Sequence, residues 1–168
     1  GRVVFHYKNQ NYLIEGIERS KIAVERINKH RDGMKVLCGD ALELPYSNNS
    51  FNVALAFGVY HNIEDGIEKG ISECARILEK DGKFCISMRP NNIEMNLNEM
   101  YWNSKIKNKI NKKKIFHKIL INESEFKNIL MKYGLKTKEV FYGRNVSFLY
   151  RIKLLRDKKI ENSEESVR

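Results

Sequence analysis

Apolar and polar positions along the chain fall into blocks whose spacing changes character. Arg2–Asn9 mixes apolar and basic residues and predicts a short helix. Tyr12, Leu13, Ile14 and Ile17 predict a buried strand within Asn11–Ile17 that ends at Glu18. Ser20 is placed to cap a helix carrying Ile22, Ala23 and Ile27 at helical spacing. Asp32-Gly33 makes a turn, and Met34–Cys38 is a short strand followed by Gly39-Asp40. A loop with Pro45 and Ser47–Ser50 leads into Phe51–Phe57, a near-continuous apolar run of the kind buried on both faces of a central parallel strand. Ile67, Ile71, Cys74, Ala75 and Leu78 mark a helix over residues 64–78, and Asp81-Gly82 turns the chain into a strand at Phe84–Met88. Strand, helix, strand, loop, strand, helix, strand argues for an α/β fold, a parallel sheet with helices on its faces.

The pattern changes after Pro90. Residues 91–122 are rich in Asn and Lys, Glu123–Tyr133 predicts a helix stopped by Gly134, and Leu135–Tyr142 with Val146–Lys153 predicts an antiparallel hairpin around Gly143-Arg144-Asn145. The expected organisation is therefore 1–90 as the sheet portion, 91–122 as a basic insert, 123–155 as a helix and hairpin, and 156–168 as a frayed tail.

Charge sharpens this division. Residues 1–90 carry 13 Lys/Arg and 12 Asp/Glu, whereas residues 91–168 carry 18 and 9, so nearly all of the net +10 lies in the second part. Seven lysines and no acidic residue fall within 103–122. With Ile106, Ile110, Ile115, Phe116 and Ile119 they suit a basic amphipathic helix, either recruiting an anionic partner or forming a solvated face. The 42% hydrophobic content allows a core, and no run of 18 apolar residues occurs. Three cysteines without metal-ligand spacing point to reduced thiols, no metal site and a cytoplasmic setting.

In an open α/β sheet, ligands bind beyond the carboxyl ends of the strands. Glu18 stands at one such end, where a carboxylate accepts both hydroxyl hydrogens of a ribose or simply opens a helix. Asp40 stands at the next, where it accepts from the exocyclic amine of adenine, with the following N–H meeting a ring nitrogen, or forms an Asx-turn. His61, after the Phe51–Phe57 run, is either a general base or a positioning residue.

The strings GIERS at 16–20, GDALELPYSNNSFNVALAFGVYHNI at 39–63 and ECARILEKDGKFCISM at 73–88 resemble, in this order, class I S-adenosylmethionine-dependent methyltransferases. The resemblance implies a Rossmann-like sheet with a C-terminal antiparallel hairpin. It implies S-adenosyl-L-methionine as cofactor, held by Gly1, Glu18, Asp40, Ala41 and Phe57, and it puts His61 beside the reactive methyl group. A small-molecule acceptor is expected, because no Asn/Asp-Pro-Pro-Tyr string is present. The alternatives are a nucleic-acid acceptor, which the basic second part favours, and a non-catalytic fragment. The family's D-x-G-x-G-x-G turn is absent, and Gly1 stands about where its last glycine belongs, so the first strand is expected to be missing and these residues alone to be poorly active. Asn52 replaces a customary Asp.

Overall fold

The computed structural model describes residues 1–30, 33–107, 116 and 118–143. They fall into two compact units. One comprises Gly1–Arg89 with Phe116–Lys136, and the other the described parts of Pro90–Ile115 and of the chain from Thr137.

In the first unit the order is α1 (Arg2–Lys8), β1 (Glu15–Glu18), α2 (Lys21–His30), β2 (Lys35–Cys38), β3 (Phe51–Ala56), a 3-10 turn (Tyr60–Asn62), α3 (Gly66–Ile77) and β4 (Leu78–Ile86). The second unit contributes α4 (Ile93–Lys107), and α5 (Glu123–Lys132) belongs to the first. β1 pairs with β2 in parallel, Glu15 opposite Lys35 through Glu18 opposite Cys38. β3 pairs with β4 in parallel, Val53 opposite Lys83 through Ala56 opposite Ile86. No strand pairing joins these two pairs among the described residues.

Local chemistry explains most boundaries. Ser20 caps α2 as its sequence position predicts, its Oγ accepting from the Ala23 N–H at 3.3 Å. Gly134 ends α5 at φ 76°, a conformation that costs glycine nothing. The Asp81-Gly82 turn is present as an excursion within β4. Phe51 faces Leu78 while Val53 faces Lys83, so residues 79–82 loop out opposite Asn52. Asn52 Nδ2 donates to Glu79 Oε2 at 2.6 Å across that excursion.

The described residues correct three expectations. Tyr12 and Leu13 are exposed and precede β1. The Tyr12 N–H donates to the Tyr7 carbonyl and the two rings meet edge to face, so Tyr12 closes α1 instead of opening a strand. The Phe51–Phe57 run is buried on one face only. Ala54 and Ala56 enter the core, whereas Val53 is 49% and Phe57 50% exposed, with Cys85 of β4 exposed as well. The cause is coverage: α3 and α5 pack Ile67, Ile71, Cys74 and Leu130 against one side, where Ile71 is wholly enclosed.

Finally, the helix expected over 103–122 does not extend to its end. α4 is described as far as Lys107, and Lys118–Leu120 are not helical. The N–H groups of Ile119 and Ile121 instead donate to the carbonyls of His61 and Arg89, and Ile121 is buried. Lys109 and Lys112–Lys114 lie outside the described residues, as does Val146–Lys153, the second arm of the expected hairpin. Leu135–Tyr142, the first arm, has no strand partner among the described residues.

α1 and α2 cover the β1–β2 pair. A side-chain carbon on Gly16 would come within 2.8 Å of Val4 Cγ2, so α1 rests directly on β1. Val24, Met34 and Val36 form a small core there with Val4 and Ile27.

Candidate functional site

The parallel register sets Glu18 at the carboxyl end of β1, opposite Cys38, two residues ahead of Asp40. Two candidate carboxylates thus stand at neighbouring strand ends. The Gly39 N–H donates to the Glu18 carbonyl at 3.1 Å, which ties the two ends together. Each carboxylate is oriented by its own chain. Glu18 Oε1 accepts from the Ser20 N–H at 2.9 Å, and Asp40 Oδ1 accepts from the Leu42 N–H at 2.8 Å. The second interaction is the Asx-turn. In both residues the second oxygen has no partner among the described residues and is free to accept from a ligand.

Ala41 occupies the turn that Asp40 opens, bounded by the Asp40–Glu43 bridge. Gly1 lies ahead of α1, and a side-chain carbon there would meet Ile27 Cδ1 at 3.1 Å. The chain start therefore lies flush against α2. Phe57 follows β3 with half its ring exposed, and Gly58 next to it adopts φ 71°. The Gly58 N–H donates to Ser87 Oγ at 2.8 Å, and the Ser87 N–H to the Ala56 carbonyl at 3.1 Å, which fixes the ends of β3 and β4 side by side.

His61 follows on the 3-10 turn and is only 5% exposed. Its Nδ1 has no hydrogen-bond partner among the described residues. Burial holds the imidazole below its ordinary pKa, and the positive charges of Arg89 and Lys118 act the same way, partly opposed by the Ser87 backbone. His61 is therefore neutral near pH 7. Tyr60, its neighbour, plays a different part. The Tyr60 hydroxyl and Cys74 Sγ lie 3.2 Å apart inside the core, where burial pushes both groups up. A side-chain carbon on Gly70 would fall 2.1 Å from the Tyr60 ring, so only glycine admits that ring beside α3. Tyr60 is thus committed to packing.

The loop from Asp40 to Ser50 is anchored by two residues that sequence reasoning overlooked, Glu73 and Arg76 of α3. Glu73 Oε2 accepts from the Leu44 N–H at 2.7 Å. Arg76 donates to the Tyr46 carbonyl at 2.7 Å, the Leu44 carbonyl at 3.0 Å and Asn48 Oδ1 at 3.0 Å, and it pairs with Glu73 at 2.8 Å. The Arg76 hydrogen bond holds the Glu73 carboxyl below the usual range. An acid and a base three apart on a helix were the signal available, but their targets are some 30 residues away and periodicity does not reveal them. Arg89 was also overlooked. It lies just past β4, where its carbonyl accepts from the Ile121 N–H. Among the described residues, no three His, Cys, Asp or Glu side chains are placed to hold a metal ion, and no helix is long and apolar enough to cross a membrane.

With this geometry in hand, comparison with known proteins is informative. A family model described as a methyltransferase domain matches residues 1–86. A SAM-dependent methyltransferase from Thermotoga maritima, described as a possible histamine N-methyltransferase, is 24% identical with a TM-score of 0.56, over 72% of this chain and 54% of that one. A putative sarcosine dimethylglycine methyltransferase from Galdieria sulphuraria is 19% identical with a TM-score of 0.57, over 89% of this chain and 55% of that one. Geranyl diphosphate C-methyltransferase from Streptomyces coelicolor, in complex with Mg2+, geranyl diphosphate and S-adenosyl-L-homocysteine, is 12% identical with a TM-score of 0.54, over 79% of this chain and 48% of that one. At these identities the likeness is one of fold, and the chain spans about half the length of the structures it matches. No curated protein matches it.

Proposed function

The chain belongs to the methyltransferase-domain family and has its Rossmann-like α/β fold, and from that premise we propose that it serves S-adenosyl-L-methionine-dependent methyl transfer to a small-molecule acceptor. One observation carries the reading: Glu18 and Asp40 stand at adjacent parallel strand ends, each with one oxygen held by its own backbone and the other open. That donor set fits an adenosine. Glu18 would accept from the ribose hydroxyls, Asp40 from the adenine amine, and the Ala41 N–H would meet a ring nitrogen. Phe57, half exposed after β3, and Gly1, ahead of α1, are assigned to the same cofactor by the family resemblance.

The bound cofactor supplies a methyl group already activated on a sulfonium. The protein's task is then chiefly alignment of the acceptor and exclusion of water. His61 is assigned to the acceptor side. Held neutral by burial and by two cations, it is able to take a proton from a hydroxyl or amine as the methyl group arrives. The 168 residues hold no glycine-rich turn ahead of Glu18, so by themselves they are expected to bind the methionine end weakly and to turn over slowly. A cytoplasmic setting accords with Cys38, Cys74 and Cys85 as free thiols.

Calorimetry with S-adenosyl-L-homocysteine tests the reading. Glu18→Ala is expected to weaken binding by about 1–3 kcal/mol, the cost of leaving desolvated hydroxyls unpaired. Unchanged affinity removes Glu18 from the site. The net +9 of residues 91–168 (18 basic, 9 acidic) favours a nucleic-acid acceptor as a second reading. Labelled methyl groups recovered in RNA, and not in small molecules, from a treated cell extract would select it.

A further inference from the structure

Past the carboxyl ends of β3 and β4, backbone hydrogen bonds bring one short extended segment, led by Lys118, against His61 and Arg89. The Ile119 N–H donates to the His61 carbonyl at 2.8 Å, and the Ile121 N–H donates to the Arg89 carbonyl at 3.1 Å. These bonds hold Lys118, the residue before Ile119, at the same strand ends. His61 is almost fully buried with Nδ1 unpartnered. The half-buried Arg89 guanidinium has no hydrogen-bond or ion-pair partner among the described residues. Lys118 has further interactions of its own and contributes charge to the place.

Such an arrangement is unfavourable as it stands. A buried ring nitrogen without a partner costs free energy, and a half-buried arginine beside it has no carboxylate to pair with among the described residues. The two charged groups that bear most on the imidazole, Arg89 from the end of β4 and Lys118 from the segment 118–121, are both cations. One kind of ligand relieves all of this together. An oxyanion takes the planar fork of an arginine in two parallel hydrogen bonds, accepts from a ring N–H and neutralises a nearby ammonium.

We infer that His61, Arg89 and Lys118 form an oxyanion subsite that takes a carboxylate or phosphate carried by the methyl acceptor. Its assignment to the acceptor rests on the methyl-transfer reading above, whereas the subsite itself does not. An anion bound there also changes His61. It offsets the two cations that add to burial in holding the imidazole neutral, so the ring becomes more basic when the subsite is filled.

The experiment follows the ring signals of the four histidines by NMR, with His61→Gln identifying the one of interest. Inorganic phosphate and acetate are titrated separately at ionic strength fixed with chloride. Either anion is expected to move the His61 signal and raise its pKa, and the stronger of the two tells a phosphorylated acceptor from a carboxylic one. Arg89→Gln is expected to weaken the response about tenfold, as for loss of a charge-assisted hydrogen bond. Arg89→Lys should recover part of it. Lys118→Gln should give a smaller weakening and supplies the same test if Arg89→Gln does not fold. A His61 signal indifferent to both anions, a shift that chloride alone reproduces, or full response in both charge-removing variants overturns the subsite. Repeating the titration with S-adenosyl-L-homocysteine present separates the two proposals. Loss of the anion response by competition would hand the subsite to the cofactor's own carboxylate. An intact response with no binding of S-adenosyl-L-homocysteine would leave the subsite standing and sink the methyl-transfer reading.

Discussion

Among the described residues, the core built on β3 and β4 holds nine buried residues, including the wholly enclosed Ile71, whereas that built on β1 and β2 holds three, Val24, Met34 and Val36. The candidate functional side chains follow this difference. His61 sits on the well-packed pair and is dehydrated and neutral as a result. Glu18 and Asp40 sit on the thinly packed pair, with open carboxylate oxygens. On the function proposed above, groups that exchange water for ribose hydroxyls are better left hydrated, while a proton acceptor gains from a dry setting. The thin core has a further consequence. It does not by itself hold the loop that follows Asp40. That loop is fastened to the thick core through Glu73 and Arg76 of α3, so the stronger half positions the ligand end of the weaker one.

The largest expected effect tests whether the two cores differ as described. Ile71→Ala should cost about 2–5 kcal/mol in urea unfolding, the usual range for truncating an enclosed side chain. Val36→Ala, in the smaller core, should cost less. Val53→Asp should cost far less than Ile71→Ala, because Val53 is half exposed on the open face of β3. A Val53→Asp variant as damaged as Ile71→Ala would mean that this face is covered after all.

Next in size is the tether between the halves. Arg76→Gln removes donors to the Tyr46 and Leu44 carbonyls and to Asn48. Hydrogen exchange should then quicken at the Leu44 amide, which donates to Glu73, and at the Asn49 amide, which donates to the Arg76 carbonyl. The Ser87 amide, bonded to Ala56 between β3 and β4, should be unaffected. Equal acceleration everywhere would show a general loss of stability and no particular tie to the Asp40 loop.

The smallest effect concerns pH. An unfolded chain protonates His61 below its ordinary pKa of 6.5, while the folded protein, by burial first and by Arg89 and Lys118 second, protonates it only at lower pH. The unfolded state therefore binds more protons in that window. The stability that His61 contributes is complete above pH 6.5 and is lost as pH falls through the folded value. Replacing His61 with Gln should flatten the acid side of the stability curve. A curve of unchanged slope would mean that the imidazole is hydrated in the folded state.

Much of this was legible in the chain because it depends on neighbours in sequence. Ser20 caps a helix through an N–H three residues on, Gly134 stops one through its own φ, and the alternation of strands with helices made parallel pairing the expected outcome. Glu18 and Asp40 were identifiable as strand-end carboxylates for the same reason. Tyr12 was misplaced because its apolar character suits a strand as well as a helix closure, and only the bond to Tyr7 decides between them. The lysine-rich stretch was read as one helix over 103–122. Yet the Ile119 and Ile121 N–H groups find carbonyl partners at His61 and Arg89, residues tens of positions earlier.

The sequence by itself thus determined element types, the parallel pairing and the acidic strand ends, since backbone geometry and hydrophobic period act over a few residues. Tertiary structure alone decided which face of β3 is buried, that Tyr60 turns into the core toward Cys74, that Arg76 holds a loop about 30 residues away, and that the segment after Lys118 is bonded to the carbonyls of His61 and Arg89. Each of those outcomes depends on which elements pack together and where water is excluded. Desolvation and charge proximity are properties of that three-dimensional arrangement, and the spacing of residues along the chain does not encode them directly.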